Sequence, residues 1–493
     1  MPSIDYAATG IPGLDHVLGG GLPGQQMYLV RGASGTGKTT LSLQFLLEGA
    51  RQGETVLYLG TSETEAEIRR IAASHEWSLD GVTLHHHQIR QAEEEQTMLH
   101  PAEMELPQTI DAMLAVVAEV CPSRVVIDSL AEIRVLARDE LWYRRQLMQL
   151  KQHFSDDHCT VLLVEIPTAT SSTLDTIVSG VVELQQTVPA FGPDRRRLRV
   201  AKLRGEDFST GYHDYRIRRG GLEVFPRLRA ADYRRETPSA RLSTGLPALD
   251  TMLGGGLVEA TSNLLLGPSG AGKSVLASQI AVAAAARGER CLLYVFDERV
   301  HTLFQRAAGI GLPLREHVDA GRLEVRQVDP TELTSGELSC AVMDAVQNRG
   351  VRMLLMDSLN GYASAMPEER LLGLYLHELT SYLGQQGVTS IFTMTQHGLL
   401  AERTDQPFDL SYIADTVVLL RLFEYAGQVH KAASVYKHRA SGHETAIREL
   451  TIGPEGLRFG APLRRFQGVL TGSPVFLGDS LAPSPVDSAP DDG

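Results

Sequence analysis

Two glycine-rich segments of the chain have the residue types and spacing of a phosphate-binding loop. Residues 32–39 read GASGTGKT and residues 267–274 read GPSGAGKS, and both fit G-x-x-x-x-G-K-[ST]. Glycines let consecutive backbone N–H groups point at phosphate oxygens, and the helix that follows presents its positive end to the same anion. We therefore predict that both segments bind ATP. The predicted contacts come from Gly35, Thr36, Gly37, Lys38, Thr39 and Thr40, and from Gly270, Ala271, Gly272, Lys273, Ser274 and Val275.

Each loop also has partners suited to Mg²⁺. In P-loop proteins the hydroxyl at the end of the loop ligates the metal ion, and a carboxylate at the end of a nearby strand supports it. Thr39 with Asp128, and Ser274 with Asp357, fit these two roles, because each aspartate ends an apolar run, 90 and 84 residues after its loop lysine. The alternative for either aspartate is a cap on the helix that follows the strand.

Hydrolysis further requires a group that orients or deprotonates the attacking water. The candidates are Glu63, Asp297 and Glu298, which follow the second apolar run of their halves of the chain. Glu63 and Glu298 are equivalent by position, whereas Ser62 stands where the second half has Asp297. The alternative for these acids is an ordinary place in the first turn of a helix.

These landmarks occur twice because the chain is a duplication. Residues 8–24 and 243–259 repeat one pattern, and the two loop lysines are 235 residues apart. A K-x-R element follows its own loop lysine by 164 residues in each half, as Lys202-Leu203-Arg204 and as Lys437-His438-Arg439. Such a constant offset indicates two homologous domains. We predict a first domain at 1–229, a linker at 230–241, a second domain at 242–471 and a disordered tail at 472–493.

Within each half, short apolar runs alternate with helical patterns. Residues 26–32, 55–60 and 160–166 read as buried strands, and residues 39–53 read as an amphipathic helix. Strands that alternate with helices predict a mainly parallel sheet flanked by helices in an α/β domain. Residues 197–225 instead predict antiparallel strands joined by a hairpin, and residues 434–459 repeat that pattern.

The net charge, cysteine spacing and apolar runs of the chain favour some classes of protein over others. The formal net charge of −14 disfavours nucleic acid as the main partner, although an arginine-rich stretch at 195–241 keeps that alternative open. The four cysteines match no metal-ligand spacing, and no apolar run approaches the roughly 20 residues that span a membrane. The first residues show no signal-peptide pattern, so we predict a cytoplasmic protein without a membrane partner.

Taken together, the motifs resemble those of the KaiC family of RecA-like ATPases. The resemblance rests on TGIPGLD and TGLPALD, on both phosphate loops, on the two Asp-Ser-Leu strand ends and on the second K-x-R element with the segment through residue 449. It covers about residues 3–475 in the tandem order of that family. The resemblance implies two RecA-like P-loop domains that assemble as a double-ringed homohexamer, with ATP between neighbouring subunits.

The same resemblance implies roles for further residues. Lys202 and Arg204, like Lys437 and Arg439, match residues that reach the neighbouring subunit's nucleotide, with the arginines acting as fingers in trans. The second domain of the family phosphorylates a serine and the adjacent threonine. Ser411 matches that serine and is the predicted phosphoacceptor, whereas Tyr412 replaces the threonine and Asp175 occupies the corresponding place in the first domain.

This chain also departs from the family pattern. The family has paired glutamates after the second strand of each domain, and the tail beyond residue 474 does not resemble the family's activator-recruiting segment. We therefore predict a ring ATPase with serine autokinase activity that acts in signalling or circadian-type timing, with signalling or clock-type regulators as partners. A recombinase or motor that depends on nucleic acid, and a scaffold without hydrolysis, are the alternatives.

Overall fold

The computed structural model divides the chain into two compact units. The first lobe comprises residues 1–227 and 334–340, and the second lobe comprises residues 228–333 and 341–493. The structure describes residues 5–87, 102–137, 139–156, 158–167, 172–189, 192–235, 239–364, 369–395, 412–439, 442–470 and 474–477.

The first lobe alternates strands and helices until its last three strands. Its strands are β1 (Tyr6–Ala7), β2 (Leu22–Pro23), β3 (Met27–Gly32), β4 (Val56–Gly60), β5 (Val82–His86), β6 (Arg124–Asp128), β7 (Thr160–Glu165), β8 (Gly180–Thr187), β9 (Arg195–Leu203), β10 (His213–Arg218) and β11 (Gly221–Phe225). Its helices are α1 (Leu14–Val17), α2 (Lys38–Arg51), α3 (Glu65–Ser74), α4 (Ala102–Val120), α5 (Leu130–Val135), α6 (Glu140–Asp156) and α7 (Ser172–Ile177).

The remaining part of the chain repeats this order. Its strands are β12 (Arg241–Leu242), β13 (Leu257–Val258), β14 (Ser262–Gly267), β15 (Cys291–Val295), β16 (Leu323–Gln327), β17 (Met353–Asp357), β18 (Thr389–Thr395), β19 (Thr416–Tyr425), β20 (Gln428–His438), β21 (Arg448–Gly453), β22 (Gly456–Pro462), β23 (Phe466–Gln467) and β24 (Val475–Phe476). Its helices are α8 (Pro247–Met252), α9 (Lys273–Ala286), α10 (Val300–Gly309), α11 (Leu314–Asp319), α12 (Ser335–Gln347), α13 (Leu359–Ser364) and α14 (Glu369–Gln385), preceded by a 3₁₀ turn at Ala230–Tyr233.

Among the described residues, each lobe contains one nine-stranded mixed sheet with the same strand order. The order is β11-β10-β9-β8-β3-β7-β6-β4-β5 in the first lobe and β22-β21-β20-β19-β14-β18-β17-β15-β16 in the second. The strands from β8 to β5 and from β19 to β16 are parallel, and the other three in each sheet are antiparallel. This architecture confirms the predicted α/β class and its C-terminal antiparallel strands.

The central strand β3 shows why the sheet carries helices on both faces. All six of its residues are buried, and successive side chains point to opposite faces. Tyr28 and Val30 pack in the core formed with α2, whereas Met27 and Leu29 pack in the core formed with α4 and α6. Because both faces are apolar, the strand is placed in the middle of the sheet, and the loop that follows it leaves at the sheet's carboxyl edge.

The predicted linker contains ordered structure of the second lobe. The backbone N–H of Ala230 donates to the Glu378 carboxylate at 2.8 Å, and the Tyr233 ring meets Tyr382 edge-on at 5.0 Å between centroids. The 3₁₀ turn at Ala230–Tyr233 therefore packs against α14 rather than acting as a free connection.

The predicted disordered tail begins with a short strand. Val475–Phe476 pair with Phe466–Gln467, and the Phe476 ring lies 5.6 Å from the Tyr425 ring between centroids. An aromatic contact thus holds residues 474–477 against the second lobe, whereas the rest of the predicted tail lies outside the described residues. In the part of the chain that the structure describes, no helix is long and apolar enough to cross a bilayer.

Candidate nucleotide-binding sites

The first phosphate loop adopts a conformation that only glycine accommodates at two positions. Gly35 and Gly37 have φ of 80° and 91°. A Cβ on Gly37 would come within 2.5 Å of Ile217, so the loop lies tightly against the antiparallel strands. Thr36 is fully buried, its carbonyl accepts a 2.7 Å hydrogen bond from the Tyr215 hydroxyl, and α2 begins immediately afterwards at Lys38. The predicted loop, with Thr39 and Thr40 in the first turn of α2, is thus built as an anion cradle.

The second phosphate loop repeats this geometry. Gly270 and Gly272 have φ of 79° and 105°, Ala271 is fully buried, and α9 begins at Lys273. Ser274 and Val275 lie in the first turn of this helix. Two loops of the same shape at the carboxyl edges of equivalent strands confirm that the duplication extends to the site.

Both loop lysines lie over the loop backbone. The Lys38 ammonium donates to the Ala33 carbonyl at 2.9 Å, and the Lys273 ammonium donates to the Gly267 and Pro268 carbonyls at 2.9 and 2.8 Å. Burial lowers the pKa of both lysines, partly offset by Asp128 and Asp357 respectively. A partly desolvated ammonium that faces the loop is placed to compensate phosphate charge.

The predicted metal ligands meet in the first lobe. Asp128 accepts hydrogen bonds from the Thr39 hydroxyl at 2.8 Å and from the Tyr58 hydroxyl at 2.9 Å. Burial raises the pKa of Asp128, although both hydrogen bonds and Lys38 favour its charged form. A buried carboxylate beside a hydroxyl at the end of the loop is a donor set of the all-oxygen kind that Mg²⁺ prefers.

The second lobe provides the same pair with a different supporting residue. Asp357 accepts from the Ser274 hydroxyl at 3.0 Å and from the Thr393 hydroxyl. Thr393 lies on β18 and Tyr58 on β4, so the second hydrogen bond comes from opposite sides of the aspartate's strand in the two lobes. The peptide bond after each aspartate is cis. Both donor sets fit a magnesium ion held next to a phosphate loop.

Glu63 lies beside the first loop's charged groups. Burial is the largest cause that raises its pKa, Asp128 raises it further, and Lys38 lowers it. One of its carboxylate oxygens is buried without a hydrogen-bond partner among the described residues. A polar atom of this kind requires a partner, which a water molecule next to the nucleotide would supply. Ser62 lies 3.4 Å from the hydroxyl of Ser129, the residue after Asp128.

The two acids of the second lobe have different partners. Asp297 accepts a 2.5 Å hydrogen bond from the hydroxyl of Ser358, which follows Asp357. Glu298 instead forms an ion pair with Arg306 of α10 at 2.6 Å. The positional equivalence of Glu63 and Glu298 therefore does not extend to their surroundings, and Asp297 is the acid that contacts the residue after Asp357.

The K-x-R elements are anchored on backbone carbonyls of the segment before β8 or β19. Lys202 donates to the carbonyls of Asp175 and Val178, and Arg204 donates to the Thr176 carbonyl at 2.8 Å. Lys437 donates to the Ala414 carbonyl at 2.7 Å, and Arg439 donates to the Tyr412 carbonyl at 2.8 Å. A β-bulge directly precedes each element, at Ala201 in the first lobe and at Tyr436 in the second, and it turns side chains of the strand to new directions.

Strand register places these elements at the edge of the sheet opposite to their own loops. Leu203 pairs with Gly180, and Gly180 pairs with Tyr28 near the start of β3, whereas the phosphate loop leaves from the end of β3. In the second lobe, His438 pairs with Thr416, and Thr416 with Asn263 near the start of β14. At 3.3 Å per residue, the motif arginine lies roughly 17 Å along the strand direction from its own loop. That distance exceeds the reach of an arginine side chain.

The arginine-rich stretch of the first lobe is largely neutralised within its own sheet. Arg199 pairs with Glu183 across β8 and β9, Arg197 lies 3.7 Å from Asp214, and Arg218 contacts Glu223 at 3.3 Å. Cations that are already paired with carboxylates release few counterions to a phosphate backbone. This pairing disfavours the nucleic-acid alternative.

Sequence reasoning missed three hydroxyl residues that hold the site acids. Tyr58, Thr393 and Ser358 each donate to a predicted site acid. The signal available for Tyr58 was a lone polar side chain within a buried apolar strand, which requires a hydrogen-bond partner, whereas Thr393 is one of several hydroxyl residues of β18. The predicted phosphoacceptor Ser411 lies outside the described residues.

By sheet order, loop geometry and metal-ligand pairs, the two lobes are tandem RecA-like P-loop ATPase domains. The family model of the KaiC ATPases matches residues 7–229 and matches again at residues 242–464. The chain therefore belongs to the KaiC ATPase family.

Its relatives share this length and tandem order. The chain is 28% identical over 492 residues to the circadian clock protein KaiC3 of Synechocystis sp., which covers 97% of this chain and 96% of that protein. It is 27% identical over 477 residues to the circadian clock oscillator protein KaiC of Synechococcus elongatus, covering 95% of this chain and 91% of that protein.

Proposed function

We propose that the chain is a ring-forming Mg²⁺-dependent ATPase in which each nucleotide is held between the phosphate loop of one subunit and the K-x-R element of a neighbour. The observation that carries this proposal is the register of both sheets. It places each K-x-R element at the edge opposite to its own loop, in both lobes. An arginine that cannot serve its own subunit is suited to serve the next one around a ring.

In each lobe, different residues take separate roles in the proposed ATPase reaction. Lys38 and the backbone N–H groups of its loop hold the phosphates, and Thr39 with Asp128 would hold Mg²⁺, which neutralises developing negative charge when bound. Lys273, Ser274 and Asp357 do the same in the second lobe. Arg204 and Arg439, with Lys202 and Lys437 beside them, stabilise charge on the transferred phosphoryl group from the neighbouring subunit.

In the first lobe, Glu63 is the residue that orients or deprotonates the attacking water. Its pKa is shifted by both Lys38 and Asp128. One of its carboxylate oxygens is buried without a hydrogen-bond partner among the described residues. Hydrolysis by the first lobe is supported despite the serine at position 62, because Glu63 itself faces the loop.

In the second lobe, we assign the base to Asp297 and the phosphoacceptor to Ser411. Asp297 contacts the residue after Asp357, whereas Glu298 is occupied by Arg306. The register that pairs Gly180 with Tyr28 and Thr416 with Asn263 supports the equivalence of positions 175 and 411. The backbone of Asp175 lies at the K-x-R edge, since its carbonyl accepts from Lys202, while its carboxylate pairs with Arg31. An acceptor at that edge would face the neighbour's ATP.

The names of the relatives suggest the biological setting. Both are circadian clock proteins, so we propose signalling or clock-type regulators as partners of a cytoplasmic ring. The nucleic-acid-dependent alternative has no comparable support, because the arginines of the first lobe are paired within their sheet.

Light scattering with and without Mg-ATP, run beside a phosphate-release assay, tests the proposal. We expect a nucleotide-dependent rise from the mass of one chain, 53.8 kDa, to that of a hexamer, together with phosphate release. A monomer at every ATP concentration would refute the ring, and a ring without phosphate release would favour the scaffold.

A further inference from the structure

The second lobe has a buried imidazole in the middle of its K-x-R element. His438 ends β20 and is only 9% exposed. Its Nδ1 lies 3.0 Å from the hydroxyl oxygen of Thr416, and its Nε2 lies 3.3 Å from a guanidinium nitrogen of Arg241. The imidazole therefore connects β20 to β19 and to β12 at the position between Lys437 and Arg439.

These two contacts determine the protonation state of the ring. A guanidinium group only donates hydrogen bonds, so the Nε2 atom that faces Arg241 must accept one. The ring proton then resides on Nδ1 and is donated to Thr416. Both contacts are satisfied only by the neutral imidazole in this tautomer.

Burial and most of the groups around the ring oppose a second proton, whereas one carboxylate favours it. Arg241 faces it from β12, His443 lies 6.5 Å away between ring centroids, and Asp415 approaches from the residue before β19. Burial, then Arg241 and His443, lower the pKa of His438, and Asp415 raises it. The same guanidinium nitrogen of Arg241 also donates to the carbonyls of residues 253 and 256, at 3.2 and 3.1 Å, so its two N–H groups are shared among three acceptors that hold the side chain in this position.

The first lobe has none of these three groups at the corresponding positions. Leu203 stands in place of the imidazole, and Gly180, its partner across the sheet, stands in place of Thr416. Tyr6 occupies the position of Arg241 and donates its hydroxyl to Glu206. The contact at this point is apolar in the first lobe, since a Cβ on Gly180 would lie 3.0 Å from Leu203.

We propose that neutral His438 is a positioning residue that holds the second K-x-R element in place, and that its protonation at mildly acidic pH weakens catalysis in the second lobe but not in the first. A proton on Nε2 of His438 would turn this hydrogen-bond acceptor into a donor that faces the N–H donor of Arg241. It would also place a positive charge beside the Arg241 guanidinium. The bridge between β12 and β20 would break, and the cations on either side of the imidazole would lose their fixed position. The catalytic part of this inference rests on the proposed function.

The same contacts make the stability of the second lobe depend on pH. The folded-state pKa of His438 is lowered, so the unfolded chain takes up the proton first as the pH falls. The stabilisation by the neutral ring is fully present above the ordinary histidine range, and it is lost as the pH falls through that range towards the folded-state pKa. This effect does not require ATP.

The experiment uses the full chain with Lys38→Ala, so that phosphate release reports on the second lobe. His438→Leu introduces the residue of the first lobe, and His438→Gln provides a polar side chain that does not titrate. His430→Gln is the matched control, because His430 lies on the same strand and pairs with Glu449 instead. Rates are compared between about pH 8 and about pH 5.5, on either side of the histidine range, and melting temperatures are measured without nucleotide at the same two values.

We expect the relative loss of rate at acidic pH to be roughly threefold smaller in both His438 variants than in the parent, and unchanged in the His430 control. The shift of melting temperature between the two pH values should shrink in the same variants. Equal melting shifts in all proteins would overturn the neutral-imidazole assignment. A reduced melting shift with an unaltered rate ratio would overturn the positioning role. Absence of phosphate release by the chain with both loops intact would refute the proposed function, while the melting experiment, which needs no nucleotide, would still decide the protonation state.

Discussion

At the scale of single residues, the two lobes differ most in the acids that follow their second parallel strands. Lys38 and Asp128 both shift the pKa of Glu63. In the second lobe, Asp297 accepts a hydrogen bond from Ser358, and Glu298 forms an ion pair with Arg306. The same position along the chain thus makes different contacts, because Glu298, two residues before α10, pairs with Arg306 of that helix.

Replacing Glu63 by Gln should lower phosphate release from the first lobe by at least about 10²-fold, because the amide cannot take a proton from water. The assay uses the Lys273→Ala background. Glu65→Gln, which changes an exposed acid at the start of α3 that pairs with Arg69, is the control and should leave the rate unchanged. A loss in the control equal to that in the Glu63 variant would contradict the assignment.

The rate of the first lobe should also depend on pH through Glu63. Its folded-state pKa is raised by burial and by Asp128, so the carboxylate takes up a proton at a higher pH than an ordinary glutamate. The rate should therefore fall on acidification before ordinary carboxylates titrate. A rate profile that is flat down to the usual glutamate range would argue against Glu63 as the base.

Ser411→Ala should abolish phosphorylation of the chain, measured by intact mass after incubation with Mg-ATP. Asp297→Asn should do the same, because the base would be lost while Ser411 remains. Tyr412→Phe is the matched control and should keep one phosphate per subunit. An unchanged phosphate count in the Ser411 variant would refute the acceptor, and phosphate on Tyr412 would refute a single site.

At the scale of elements, local sequence rules predicted most of what positions the site. Apolar runs predicted the buried strands, and the glycine spacing predicted the loop, in which Gly35 and Gly37 adopt positive φ values that glycine tolerates best. Hydrogen bonds such as those from Tyr58 to Asp128 and from Thr393 to Asp357 were not predictable. They depend on the order and register of strands that are distant in sequence, which no local pattern encodes.

The two phosphate loops should have separable tasks. Because the lobes differ at Ser62 and Asp297, Lys38→Ala should mainly weaken assembly, whereas Lys273→Ala should abolish phosphorylation and leave assembly largely intact. Light scattering and intact mass on the two variants measure both effects. Identical phenotypes would contradict a division of labour between the lobes.

At the scale of the whole molecule, the duplication gives the chain two phosphate loops and two K-x-R arginines, each arginine at the sheet edge opposite to the loop of its own lobe. In a closed ring, each loop would meet the K-x-R element of one neighbour, so a subunit would lack a complete site of its own. The central claim is therefore that catalysis requires two subunits per nucleotide.

Mixing two inactive variants tests that claim most directly. One carries Lys38→Ala and Lys273→Ala with both arginines intact, and the other carries Arg204→Ala and Arg439→Ala with both loops intact. Each alone should lose phosphate release by about 10³-fold or more. Mixed before assembly in equal amounts, they should recover activity, because about one quarter of the interfaces in a random ring combine an intact loop with an intact arginine. Mixed rings that stay as inactive as the separate variants would contradict the account.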